Sequence, residues 1–317
     1  MSNGNPKSHS GVWTRLLRLI RREKSRVEPD DPRARSWARR VESYADLPKV
    51  YAPFVDSLPR RQREPFPYSV LTPTFRGSYG RSEKEHLLCI VDDEVHMLQF
   101  VDNRLHADCF STAEICFLER GSILLHAWLT MAAQDGTGLR STSIRYSSVT
   151  DYLMAPFLEC LRAAPTAGSA ADLAAERSRF VYLTETHFKF MSYGQGSIRP
   201  GACVRRILLQ PEVRREYLGL LGFSISRLVW PAHLTILTDS ELILIRDDDS
   251  QRWTRGSPHG AIWTYIPRRK IVDASVTSGD DGRQALSIAL PGGTCIRSIF
   301  DSAQRPQLEL LLSELRS

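Results

Sequence analysis

Two short patterns, His86-x2-Cys89 and His106-x2-Cys109, carry residue types that can hold zinc. On a strand, residues three apart point to opposite sheet faces, so either pair would need a turn to converge on one ion. The expectation is therefore buried, reduced thiols and no metal. Arg268-Arg269-Lys270 is a basic run of the kind that meets a phosphate or an acidic peptide, as is the doublet Arg205-Arg206. Such runs also serve as solvated strand edges that discourage edge pairing. Asp247-Asp248-Asp249 does not have the spacing of a calcium loop. Gly194-Gln-Gly196 is not followed by the Lys-Ser/Thr of a phosphate loop. The chain has no Gly-x-Ser-x-Gly, His-Glu-x-x-His, Walker or kinase signature, and no carboxylates paired in a recognisable catalytic arrangement. The expected set of catalytic residues is empty, and so is the set of cofactors.

The strongest chemical pattern lies at the N-terminus. At 100° per residue, residues 12–27 form an amphipathic helix with Val12, Trp13, Leu16, Leu17, Leu19, Ile20 and Val27 on one side. Arg15, Arg18, Arg21, Arg22 and Arg26 take the other. Such a helix can lie in a membrane interface, each basic residue contributing about 1 kcal/mol near an anionic leaflet. It can equally pack its apolar side on a protein surface. Trp13, Arg15, Leu16, Arg18, Ile20, Arg21, Arg22 and Arg26 are the residues expected to touch a membrane or partner. Arg268, Arg269 and Lys270 are the candidates for an anion or peptide.

Charge distribution points the same way. Residues 1–65 carry 15 Lys and Arg against 8 Asp and Glu, while the other 252 residues carry 27 against 28. A basic arm on neutral domains suggests a tail that docks, and argues against a nucleic-acid groove. With 317 residues, 42% hydrophobic and 25% charged, the chain suits two domains. Cys89, Cys109, Cys116, Cys160, Cys203 and Cys295 are too few for a disulfide scaffold. No run approaches the roughly 20 apolar residues of a membrane span. These features suggest a cytoplasmic protein, peripheral to the inner membrane face if the arm inserts.

The elements that position these residues repeat. His86-Leu-Leu-Cys-Ile-Val-Asp92-Asp-Glu94-Val95 returns as His233-Leu-Thr-Ile-Leu-Thr-Asp239-Ser-Glu241-Leu242. Each copy is followed by strand-like segments and a closing helix, ending at Arg162 or Arg316, which implies two related domains. In the first copy the pattern predicts strands at 66–75, 87–91, 95–101, 115–118, 123–131 and 141–146, then a helix carrying Val149, Leu153, Phe157, Cys160 and Leu161. In the second it predicts strands at 198–207, 233–237, 241–246, 271–276, 285–290 and 295–300. A final helix there buries Leu308, Leu311, Leu312 and Leu315, capped from Asp301 or Ser302. A second helical stretch is expected at about 33–57, interrupted at Pro48 and Pro53.

Pro200-Gly201, Tyr265-Ile-Pro267-Arg-Arg-Lys270-Ile271-Val272 and Leu290-Pro291-Gly-Gly in residues 198–316 resemble bacterial pleckstrin-homology (PH)-like domains. Phe66-Pro-Tyr-Ser-Val-Leu-Thr-Pro73, Gly121-Ser-Ile-Leu-Leu-His-Ala-Trp128 and Tyr146-Ser-Ser-Val-Thr-Asp151 are similar to a group of bacterial tandem PH-like proteins. The resemblance implies an α+β, mainly β chain with two PH-like domains, each a bent antiparallel sheet or partial barrel closed by a C-terminal helix. The expected boundaries are a basic arm at 1–65, domains at 66–163 and 188–317, and a linker at 164–187. Neither copy has the Lys/Arg pair of phosphoinositide-binding PH domains at its first clear hairpin. The function expected is a non-catalytic scaffold engaging a partner protein or the cytoplasmic membrane surface, its small-molecule ligand, if any, unknown. The alternatives are a homo-oligomer with the N-terminal helix docked on a neighbour, or an enzyme with a cleft between the domains.

Overall fold

A computed structural model describes residues 37–76, 82–136, 138–162, 172–220, 223–248, 260–279 and 282–316. The helix expected at 12–27, with all of its site residues, lies outside these segments. The described residues are mainly β, and every strand pairing is antiparallel.

The chain enters through strand β1 (Arg39–Val41), a 3-10 turn at Lys49–Tyr51, and short helices α1 (Ala52–Ser57) and α2 (Arg60–Arg63). Next come β2 (Tyr68–Thr72), the hairpin β3 (Phe75–Arg76) and β4 (Ser82–Glu83), β5 (His86–Val91), β6 (Glu94–Val101) and β7 (Arg104–Ser111). These are followed by β8 (Ile115–Ile123), β9 (His126–Asp135), β10 (Gly138–Ser147) and α3 (Ala155–Leu161). After α4 (Leu173–Ser178) and α5 (Thr184–Ser197) the strand sequence repeats. It runs through β11 (Val204–Gln210), β12 (Val213–Leu220), β13 (Phe223–Trp230), β14 (His233–Thr238), β15 (Glu241–Arg246) and β16 (Ala261–Pro267). The second copy ends with β17 (Asp273–Ser278), β18 (Gln284–Leu290), β19 (Thr294–Phe300) and α6 (Arg305–Arg316).

Strand order makes the repeat explicit. The first copy orders four strands β2-β5-β6-β7 and the second β11-β14-β15-β16; three more follow in each, β8-β9-β10 and β17-β18-β19. In both, the first hairpin outruns its sheet. Thr72 pairs with His86 and Gln210 with His233, then pairing resumes as β3–β4 and β12–β13. The breaks fall at Pro73, Pro211 and Pro231, which cannot donate to a ladder. Each four-stranded sheet is also backed by a helix. Tyr51 and Val55 beside and within α1 pack on Leu71, Leu87, Cys89, Val91 and Leu98. Phe190 of α5 packs with Leu234, Ile236, Ile243 and Ile245.

The two copies are not separate bodies on a string. Strand β8 of the first pairs with β16 of the second, Leu118 opposite Tyr265, Arg120 opposite Trp263 and Ser122 opposite Ala261. One seven-stranded sheet, β10-β9-β8-β16-β15-β14-β11, therefore runs through both. On one side its core joins the interior of the first copy to the α5 side of the second. On the other lies the second copy's interior, closed by Leu308 and Leu311 of α6. Each such fully buried aliphatic side chain contributes about 1.5–3 kcal/mol.

Several local expectations change. Residues 39–41 form a strand on β2, so the helix expected over 33–57 shrinks to the turns after Pro48. Trp37 and Tyr44 in that stretch are exposed. The strand expected at 123–131 is broken at Leu124-Leu125, which turns from β8 into β9. The expected linker holds α4 and the start of α5, and residues 188–197 are helical, so the second copy's first strand begins at Val204 instead of Ile198. Pro156 sits in the first turn of α3, the position where its missing N–H costs least. No helix among the described residues is long and apolar enough to cross a membrane.

Candidate functional site

The seam between β8 and β16 opens into a cavity of about 360 Å³. Arg120, Ser122 and Leu124 line it from β8 and its turn, Gly260 from just before β16, Trp263 and Tyr265 from β16, and Ser192, Tyr193, Gly196 and Ser197 from α5. Side chains alternate along strands, so Arg120 and Ser122 share a face, and cross-strand pairing brings Trp263 and Ala261 onto the same face. Backbone pairing between the two copies is thus what assembles the site.

Close approach at the mouth depends on Gly260. Its φ is +95°, and a Cβ there would lie 2.2 Å from the Ser122 carbonyl oxygen. The Gly260 amide donates to the Tyr193 hydroxyl at 3.1 Å, tying β16 to α5. Beside it, the Leu124-Leu125 turn is held by Ser148, whose hydroxyl donates to Leu124 O at 2.6 Å and whose amide donates to Leu125 O at 3.1 Å. Leu124 has φ +53°, a left-handed conformation that costs a non-glycine residue about 1–2 kcal/mol. Both leucines are nonetheless exposed, at 62% and 66%. Phe188, one turn before Ser192 on α5, is 64% exposed.

Beneath the rim the groups are polar but internally satisfied. Arg120 pairs with Asp151 and lies 5.0 Å from the Trp263 ring centroid. Burial works against its charge, but hydrogen bonding and attraction to Asp151 leave its pKa raised. The Tyr146 hydroxyl donates to Asp151 at 2.8 Å, and burial followed by the Asp151 charge pushes that phenol well up. Burial also pushes Tyr265 up. Arg162 at the end of α3 pairs with Glu241 at the start of β15, donates to Ser197 O at 2.8 Å, and lies 4.2 Å over the Tyr265 ring. The cavity lining includes no His, Cys, Asp or Glu.

The sequence-selected basic run is not part of this cavity. Arg268 Nη2 donates to Glu314 O in α6 at 2.6 Å, and Arg269 donates to Thr112 O in the β7–β8 turn. Arg206 pairs with Glu314 at 2.6 Å, and Asp247 with Lys189 at 2.6 Å. These groups bind the chain's own elements together. Of the residues that form the seam site, Ser122, Leu124, Gly196, Tyr265 and Asp151 fall within motifs the sequence singled out. Trp263, Tyr193 and Ser192 do not, because no local pattern reveals which distant strands will pair. No protein-family model matches the chain, and no curated protein is similar to it.

Proposed function

We propose that the chain is a non-catalytic binding scaffold of two tandem PH-like domains, fused into one platform that captures a partner protein at the seam. The PH-like reading is supported by the twice-repeated order of four strands, three strands and a closing helix. The observation that carries the binding role is the seam cavity itself, lined by Leu124 and by aromatic and hydroxyl groups, with Leu125 and Phe188 exposed on the turn and helix that contribute to it. Aromatic and polar groups converging on a concave site can anchor a partner's side chains. A cytoplasmic setting agrees with six free cysteines. The basic helix at 12–27 would bring the platform to an anionic membrane face, a role favoured by the charge confined to residues 1–65.

Photo-crosslinking in the native cell tests the seam. With benzoylphenylalanine at position 124 or 188, one discrete adduct is expected; at exposed Arg297, none. Ser192→Trp, which fills the cavity, should abolish the adduct. Equal adducts from all three positions, or an adduct indifferent to Ser192→Trp, would rule out the seam as the binding surface.

A further inference from the structure

The first copy contains a second cluster, sharing no residue with the seam cavity, in which strand pairing does what the sequence spacing could not. His96 lies opposite Cys89 on β5 and opposite Cys109 on β7, so the three side chains form a row across the sheet. Glu94, two residues before His96, projects from the same face. The sequence patterns His86-x2-Cys89 and His106-x2-Cys109 stay split across opposite faces. His86 meets Gln99 instead, at 3.0 Å.

Three potential ligand atoms converge there. Cys109 Sγ lies 3.1 Å from Glu94 Oε2 and 3.9 Å from His96 Nε2, and those two are 3.6 Å apart. All three atoms lie within 4.8 Å of one another. A tetrahedral zinc ion with ordinary Zn–S, Zn–N and Zn–O bonds would hold the same atom types about 3.3–3.6 Å apart. The triangle already has the size of one face of that tetrahedron.

The second copy supplies an internal comparison. The equivalent row there is Ile236, Ile243 and Tyr265, which packs and cannot ligate. The equivalent carboxylate is Glu241, neutralised by the buried cation of Arg162. In the first copy the carboxylate remains, the row becomes Cys-His-Cys, and no Lys or Arg is paired with Glu94 among the described residues. A divalent cation would supply the missing positive charge.

We propose that Glu94, His96 and Cys109 bind a divalent cation of the zinc class, with the fourth position open to solvent past the half-exposed Glu94. On binding, the Cys109 S–H proton leaves to solvent and a sulfur–metal bond forms. One carboxylate, one thiolate and a neutral imidazole then balance the 2+ charge. Phe54, whose ring centroid is 5.2 Å from that of His96, covers the imidazole and ties the site to α1.

Cobalt(II) titrated into untagged full-length protein under reducing, oxygen-free conditions tests the site. One equivalent should give the near-ultraviolet thiolate-to-cobalt band and the visible bands of a four-coordinate ion, and zinc should displace both. Cys109→Ser should remove the thiolate band, and His96→Asn, checked by circular dichroism for retained fold, should weaken binding at least tenfold. Cys295→Ser should change neither. Absence of a thiolate band at stoichiometric cobalt, or a band that survives Cys109→Ser, would overturn the assignment.

Discussion

Replacing Arg162 by methionine is expected to lower folding stability by about 3–5 kcal/mol, because it strands Glu241 as an unpaired buried charge. The two side chains are only 6% and 2% exposed, Arg162 closing the first copy and Glu241 turning the second copy's hairpin. Arg162 also donates to Ser197 at the end of α5, so three elements meet at one guanidinium. Removing it should loosen the seam and both copies together, in a single shifted transition. The double variant Arg162→Met, Glu241→Leu removes the stranded charge and should recover part of the loss. Chemical denaturation of the three proteins measures this. A single variant within about 1 kcal/mol of wild type would show the pair to be unimportant, since that is the scale of an exposed ion pair.

Acid should be almost as damaging, and for a reason found in the repeat. His86 and His233 occupy equivalent strand starts, and burial lowers both pKa values from 6.5 to about 4. Gln99 Nε2 sits 3.0 Å from His86 Nε2, a contact that an unprotonated ring nitrogen accepts. His233 Nδ1 is 3.3 Å from Pro231 O, its Nε2 is buried with no hydrogen-bond partner among the described residues, and its ring packs on Phe300. Both rings are therefore neutral in the fold, and the unfolded chain takes up protons first as pH falls. Stability is full above about pH 6.5, declines as pH falls toward about 4, and levels off below that. Each histidine accounts for a loss on the order of 3 kcal/mol, a large share of the 5–15 kcal/mol typical of folded proteins. Denaturant midpoints recorded from pH 7 to 4 should fall steeply in wild type and about half as steeply in His233→Leu. An unchanged slope in that variant would show that other groups govern acid unfolding.

How much of this was legible in the chain depended on whether local or distant contacts decided it. The hairpin turning at Asp92-Asp93 is marked by residues that tolerate the left-handed backbone; Asp92 has φ +52°. Strands β17, β18 and β19 are separated by glycine turns, and α6 carries its leucines at helical spacing, so all four elements are where the pattern puts them. The Leu124-Leu125 turn was invisible, since two leucines in an apolar run lack every turn signal. Helix α5 falls where the sequence pattern marks only a linker and the start of a domain, since its glycines and aromatics have low helix propensity; burial of Phe190 against Leu234 and Ile236 outweighs that propensity. The β8–β16 pairing, the most consequential contact for the site, joins residues more than a hundred positions apart. The Glu94, His96 and Cys109 cluster was missed for the same reason: its ligands follow cross-strand register, not sequence spacing.

The claim on which the rest stands is that the two copies share one cooperative fold through the seam. Residue-resolved hydrogen exchange on the full-length protein tests it most directly. If the account is right, the hydrogen-bonded amides linking β8 and β16 exchange only through the same global opening as those of β5–β6 and β17–β18. Seam amides that exchange far faster than the interior strands of both copies would contradict it, leaving two independently folding modules that merely touch.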